Sequence, residues 1–281
     1  MTEREGNKGE NIDWQPAFYE AVQLEFEPYR DSLEFIHEQH LASKPLQIDV
    51  IIIKKNKDVV IDKTIAEIFR VYNIFEFKSQ TDSLSVDDFY KVYAYACLYK
   101  VYKKTEITDI SITFVASKHP REVIKHLQTV KGYKIRNKAG GIHEVEGGAD
   151  KIPVQFINTK KLSEKDSGYL RVLNGGLDKE TVNYVMEEAK KPHMANTGAF
   201  LNAILRANTN ILEEIMAMGG KSLEEVLEKS GLTAKWEARG EARGEARGEI
   251  REREKWKSVD AENARLRLQV AELQAKLKNG L

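Results

Sequence analysis

Three residues whose types could share one chemistry lie in the two most apolar, β-branched runs of the chain: Asp49 within Leu46 to Ile53, and Glu76 and Lys78 within Val71 to Lys78. Strand side chains alternate faces with period two, so Glu76 and Lys78 share a face, and Asp49 lies on the same side of its own strand as Ile51 and Ile53. A buried carboxylate is unfavourable unless it is paired or ligates a metal, so two carboxylates and a lysine among aliphatic residues point to a cation. Carboxylate oxygens suit Mg²⁺ or Mn²⁺, ions held by one or two carboxylates together with water and substrate phosphates. Such an ion stabilises charge on a phosphate and activates a water. Lys78 would position or deprotonate that water, or steady the developing negative charge.

The elements that must position these residues follow from periodicity. Trp14, Phe18, Ala21, Val22, Glu25 and Tyr29 recur at helical spacing and predict an amphipathic helix ending near Arg30. Glu25 lies on its apolar stripe, whereas Glu20 and Glu27 project elsewhere; Glu25 either reaches the cation or flanks the core and extends to water. Leu33 to Leu41 alternates as a strand, and Ser43-Lys44-Pro45 turns it into the Asp49 strand as a hairpin. His37 and His40, three apart in a strand, fall on opposite faces and form no metal pair. A charged loop from Lys54 to Lys63 and a short helix from Thr64 to Phe69 lead to the Glu76 strand.

Ser85 to Tyr102 predicts a helix capped by Ser85, with Asp87 and Asp88 matched to the dipole of its first turn. Tyr90, Tyr93, Tyr95, Tyr99 and Tyr102 are interleaved there with lysines. Aromatics and cations so mixed either stack on bases and meet phosphates or serve as core residues with hydroxyls at the rim. Lys91 and Tyr95, at i,i+4, share one face and are the candidate nucleic-acid contacts. Ile107 to Val115 then reads as a strand, Pro120 to Val130 as a helix, and Tyr133 to Ile135, Ile142 to Val145 and Pro153 to Ile157 as short strands. Lys138-Ala139-Gly140-Gly141 lacks the Lys-Ser/Thr ending of a phosphate-binding loop and reads as a hairpin turn. Helical patterns follow at Tyr169 to Leu173, Glu180 to Ala189, Ala199 to Met218 and Leu223 to Leu227.

The tail has two further patterns. Glu-Ala-Arg-Gly repeats three times from Glu237 to Gly248. Like residues then face each other at i,i+4 and each glycine costs about 1 kcal/mol relative to alanine, so the segment reads as a semi-flexible spacer. Trp256, Val259, Asn263, Leu266, Val270, Leu273 and Leu277 step by three and four. They form a heptad whose single Asn at an a position favours a parallel homodimer in fixed register.

Composition bounds the rest. The 281 residues carry 44 basic and 44 acidic side chains, so no global field draws the chain to nucleic acid, and any affinity must come from local patches. Cys97, the one cysteine, excludes a disulfide framework and fits a reducing cytoplasm. No run reaches the length of a membrane span, so the expected location is cytoplasmic, with no membrane partner.

Asn73-Ile74-Phe75-Glu76-Phe77-Lys78-Ser79, followed by Leu84-Ser85-Val86-Asp87-Asp88-Phe89-Tyr90 and its continuation to Lys100, resembles the PD-(D/E)XK nuclease superfamily. Within it the stretch is similar to bacterial proteins of the recombination-promoting nuclease and transposase-like type, over Trp14 to Thr159. Two departures stand out: Ile48 occupies the place where a proline often precedes the aspartate, and Lys78 stands where many recombination-promoting nucleases have Gln. The resemblance implies an α/β, restriction-endonuclease-like mixed sheet flanked by helices, and the residue patterns beyond it add a small helical subdomain and a C-terminal coiled-coil helix. It implies Asp49 and Glu76 as ligands of Mg²⁺ (or Mn²⁺) with the Phe77 carbonyl between them, Lys78 at the attacking water, and Glu25 as an outer or second-metal carboxylate. The organisation expected is a disordered start over 1–12, a nuclease-like domain over 13–160, a helical subdomain over 161–232, the repeat spacer over 233–249 and the coiled coil over 250–281. The function implied is metal-dependent endonucleolytic hydrolysis of DNA phosphodiester bonds, linked to recombination or mobile elements. The alternative is a catalytically inactive nuclease-like module that binds nucleic acid or protein and is dimerised by its coiled coil.

Overall fold

The aliphatic runs on either side of the charged loop form adjacent strands. In the computed structural model, which describes residues 12–37, 50–56, 58–147, 151–217 and 224–232, β2 (Val50–Lys55) lies antiparallel to β1 (Leu33–His37) on one side and to β3 (Tyr72–Lys78) on the other. Strands β4 (Ile110–Ala116), β5 (Lys134–Asn137), β6 (Ile142–Glu146) and β7 (Val154–Asn158) complete a seven-stranded sheet in the order β1-β2-β3-β4-β7-β6-β5. The β3-β4 and β4-β7 pairs are parallel, and the β5-β6 and β6-β7 pairs antiparallel. The architecture is therefore α/β, a mixed sheet flanked by helices. Parallel strands are covered on both faces, which is why β3 and β4 read as nearly continuous apolar runs. The hairpin turn between β5 and β6 needs its glycines: Gly140 and Gly141 have positive φ, and a Cβ on Gly141 would meet the Lys161 side chain at 2.5 Å.

Register assigns the faces. Ile52 lies opposite Ile74, Ile74 opposite Ile112, and Glu76 opposite Phe114, which in turn pairs with Phe156. These residues point toward α2 (Val86–Lys103) and α3 (Arg121–Thr129), and all but Glu76 form one core with Phe89, Val92, Ala96, Tyr99, Val123 and Leu127. The odd-numbered residues of β3 point the other way, where Phe18 of α1 (Trp14–Glu25) stacks on Phe77 at 4.5 Å between ring centroids. Phe26 and Phe75 both meet Phe69 on that same side. Helix α1 ends earlier than its periodicity suggests, because Pro28 opens a 3-10 turn over Glu27–Ser32.

Five further helices, α4 (Glu164–Arg171), α5 (Lys179–Glu188), α6 (Gly198–Ala207), α7 (Thr209–Ala217) and α8 (Glu224–Lys229), follow the sheet. Helices α4 and α6 pack against α1. Glu20 accepts a hydrogen bond from the Phe200 amide at 2.6 Å, which caps the start of α6. The contacts divide the chain into two compact units, Met1–Gly231 and Leu232–Leu281, so the sheet and these helices form one body. The expected spacer (233–249) and coiled coil (250–281) lie outside the described residues, as do Asp49 and nearly all of the expected disordered start. Among the described residues no helix is long and apolar enough to cross a membrane.

Candidate functional site

Glu76 sits near the end of β3, across from Val50 on β2 and Phe114 on β4, with its side chain on the α2 face. It is 3% exposed. The helix that covers it is fixed by its own first turn. Ser85 is the N-cap, its hydroxyl accepting from the Asp88 amide at 3.0 Å, while the Asp88 carboxylate accepts from the Ser85 amide at 2.9 Å. This reciprocal capping box leaves the second Asp88 oxygen, Oδ1, free to face the sheet, where it accepts from Lys78 Nζ at 2.9 Å. Lys91, one turn further along α2, brings its Nζ to 4.0 Å from Glu76 Oε1.

The geometry is an alternation of charges. Lys78 Nζ lies 3.2 Å from Glu76 Oε1 and bridges to Asp88, so one ammonium spans two carboxylates. Glu76 Oε2 is buried and has no hydrogen-bond partner. Burial pushes the Glu76 carboxyl above its ordinary range, against the opposing pull of Lys78 and Lys91. Burial works against the Lys78 ammonium, but its hydrogen bond to Asp88 and the charges of Glu76 and Asp88 outweigh that and hold it above its usual value. Asp88 is moved up by burial and down by its bonds to Ser85 and Lys78, and the second effect wins. Lys78 is therefore a fixed cation, suited to orienting a water or steadying a phosphate oxygen, and not a resting base.

The loop that joins β3 to α2 is itself tied down. Ser79 donates to Asp82 Oδ2 at 2.8 Å, Lys118 donates to the Thr81 carbonyl at 3.1 Å, and Gln80 accepts from the Gly175 amide at 2.8 Å. A Cβ on Gly175 would come within 2.7 Å of the Gln80 side-chain amide and 3.1 Å of the Ala207 carbonyl, so a larger residue there would displace the Gln80 contact. Rigid support of this kind is what keeps charged side chains in one arrangement.

The structure thus brings Glu76, Lys78 and Lys91 together and adds Asp88, which the sequence reading placed only at the helix dipole. Its signal was present in the Ser85-x-x-Asp88 capping spacing and in the i,i+3 relation to Lys91. Two expectations are corrected. Glu25 is on the buried stripe of α1, but α1 covers the opposite face of the sheet. Its Oε1 accepts from Lys63 Nζ at 2.6 Å and its Oε2 from the amides of Tyr169 and Leu170 at 3.1 and 3.3 Å, so it is structural. Tyr95 shares a face with Lys91 in sequence, yet it is 2% exposed and stacks with Tyr99 in the core at 6.3 Å. Desolvation pushes its hydroxyl up to about 12, and it cannot reach a base.

Among the described residues of this site, the carboxylate oxygen that a cation would find without a hydrogen-bond partner is Glu76 Oε2. Among the described residues no group of three or more His, Cys, Asp and Glu could hold a metal ion. Glu76 fits a metal as one carboxylate ligand, as Mg²⁺ sites that retain several waters require. Asp49, which immediately precedes Val50 in the chain, lies outside the described residues. Comparison of the chain with protein-family models, with curated proteins and with solved structures finds no match to any of them.

Proposed function

We propose that the protein is a metal-dependent DNA endonuclease of the PD-(D/E)XK type, hydrolysing phosphodiester bonds and linked to recombination or mobile elements. The observation that carries the reading is Glu76 Oε2: a carboxylate oxygen buried without a partner, 3% exposed as a residue, beside a lysine held in its charged form. An apolar strand retains such a group at a free-energy cost that a bound cation offsets. Glu76 and Asp49 would hold Mg²⁺ or Mn²⁺, and the ion would supply charge neutralisation at the phosphate and a more acidic water.

The chain's own residues do the rest. Lys78 orients the attacking water and faces the charge that grows on the phosphate, and Asp88 holds the lysine at the correct angle while capping α2. Lys91, 36% exposed, is placed to meet a backbone phosphate at the mouth of the site. The mixed sheet flanked by helices suits this class, and a C-terminal coiled coil over 250–281 would make the protein a homodimer with two such sites.

A second reading is supported by the same ion cluster. Lys78 and Lys91 already neutralise Glu76 in part, so the cluster can stand as a closed structural element of an inactive nucleic-acid-binding or protein-binding module. The discriminating experiment incubates the purified full chain with supercoiled and single-stranded DNA in Mg²⁺, Mn²⁺ or EDTA, beside Lys78→Ala. Nicking or linearisation that needs the metal and is lost in Lys78→Ala supports the enzyme. DNA binding with no metal-dependent cleavage supports the inactive module.

A further inference from the structure

Helix α2 is apolar on both sides. Its inner stripe packs on the sheet. At 100° per residue, positions 90, 94, 97, 98 and 101 fall together on the opposite side. They are exposed: Leu98 is 44% and Val101 69% accessible, and Tyr90, Ala94 and Cys97 are open to solvent as well. The apolar pattern that surrounds Cys97 in sequence therefore belongs to two faces, and Cys97 is on the outer one. A helix that is hydrophobic all round normally lies in an interior, and a contiguous exposed apolar stripe marks a contact surface.

The ends of the stripe say what covers it. Asp87 lies in the first turn and Lys104 at the left-handed C-cap; both are exposed, and neither has an ion-pair partner among the described residues. The stripe is thus acidic at one end, basic at the other and apolar between. A copy of the same stripe, turned end for end, sets Asp87 against Lys104, Tyr90 against Val101 and Ala94 against Cys97, while Leu98 falls beside Tyr93 at the edge of the stripe. The antiparallel orientation also opposes the two helix dipoles favourably, and the small residues at the centre allow close approach of the axes.

We infer that the outer face of α2 is an isologous interface through which two copies of this chain pair antiparallel, about a two-fold axis between residues 95 and 96. Isologous contacts require such self-complementarity. The pairing would set the Asp88 ends of the two helices about 22 Å apart along their axes, at 1.5 Å per residue. It stands apart from the parallel pairing that the C-terminal heptads predict from sequence, and does not depend on the nuclease reading.

The test uses two full-length chains that differ in a size tag, both carrying Cys97→Ser, one with Asp87→Cys and the other with Lys104→Cys. After mixing and mild oxidation, the antiparallel interface predicts a disulfide between unlike chains at least fivefold more abundant than either like pair. Introducing Leu98→Lys into both chains should reduce that product at least tenfold, with an unchanged circular dichroism spectrum because Leu98 is outside the core. Absence of the unlike disulfide, equal amounts of like and unlike products, or a yield insensitive to Leu98→Lys would overturn the inference. A dimer seen by light scattering that lacks the cross-link would assign the pairing to another surface and overturn it equally.

Discussion

Glu25 and Glu76 are nearly equal in burial, 2% and 3% exposed, and each has a lysine beside it, yet their surroundings differ in one respect. Both oxygens of Glu25 are used, one by Lys63 and the other by two backbone amides of α4. Those amides are available because α4 breaks at Ser167, whose φ of −146° is non-helical, so the amides just beyond it begin a new turn without carbonyl partners four residues back. Glu25 supplies the missing acceptor. Glu76 uses one oxygen and leaves the other bare. The same side chain at the same depth is a closed structural strut on one face of the sheet and keeps an unpartnered oxygen on the other, and the backbone around it decides which.

The comparison can be broken first at its structural end. Replacing Glu25 by Ala removes the carboxylate that the Lys63 ammonium and two amides share in a largely buried place, and should lower unfolding free energy by about 3 kcal/mol in a urea titration. If Glu25 were instead a functional ligand, its loss would spare stability and remove cleavage. At the open end the pattern is reversed. Asp49→Asn and Lys78→Ala should each reduce metal-dependent cleavage by about 10²-fold or more, with folded far-ultraviolet spectra. Equal cleavage by wild type and both variants would place the activity in a contaminant or at a different site.

Next in size is Asp88→Ala, which removes the carboxylate half of the reciprocal cap and should destabilise by about 1 kcal/mol. It also removes an interaction that raises the Lys78 ammonium, so the lysine should titrate lower and the alkaline limb of the cleavage profile should move toward acid. A profile unchanged in Asp88→Ala would mean that Asp88 caps the helix and does nothing for the lysine.

The effect on metal-free stability of Glu76→Gln is smaller and carries a definite sign. Burial raises the folded-state value of Glu76 above that of the unfolded chain. In the window between them the native state binds the extra proton, so this group's contribution is present below the unfolded value and is lost as pH rises through the folded one. At neutral pH without metal, Glu76→Gln should therefore match or exceed wild-type stability, within about 1 kcal/mol, and the difference should shrink as pH falls. Melting curves at several pH values in EDTA check this. The smallest effects separate Lys91 from Tyr95: Lys91→Ala should weaken DNA binding and lower the salt slope by about 1, whereas Tyr95→Phe should leave both unchanged.

Much of this arrangement was legible in the chain. The β3 strand and its even-numbered charges follow from alternation alone, and α2 begins where Ser85 and Asp88 say it should. What periodicity cannot give is the neighbour that a buried face meets. Glu25 was placed on the apolar stripe correctly, but nothing in a helical repeat tells which side of the sheet the helix will cover. Tyr95 fell in the same way, since sharing a face with Lys91 fixes direction and not depth: the lysine's long stem reaches the rim while the tyrosine ring stays under it. The pattern from Ala199 to Met218 reads as one helix and is two. Asn208 ends the first by turning its side chain to the carbonyls of Ile204 and Asn174, while its oxygen accepts from the Leu177 amide, a long-range set of partners invisible to local spacing.

The central claim is that the bare oxygen of Glu76 is a cation ligand. Calorimetric titration of Mn²⁺ into the full-length wild type and into Glu76→Gln tests it without reference to any substrate. A saturable site in the wild type, strengthening as pH rises through the Glu76 titration and absent from Glu76→Gln, is the predicted result. No binding to the wild type, or equal binding to both chains, would contradict it.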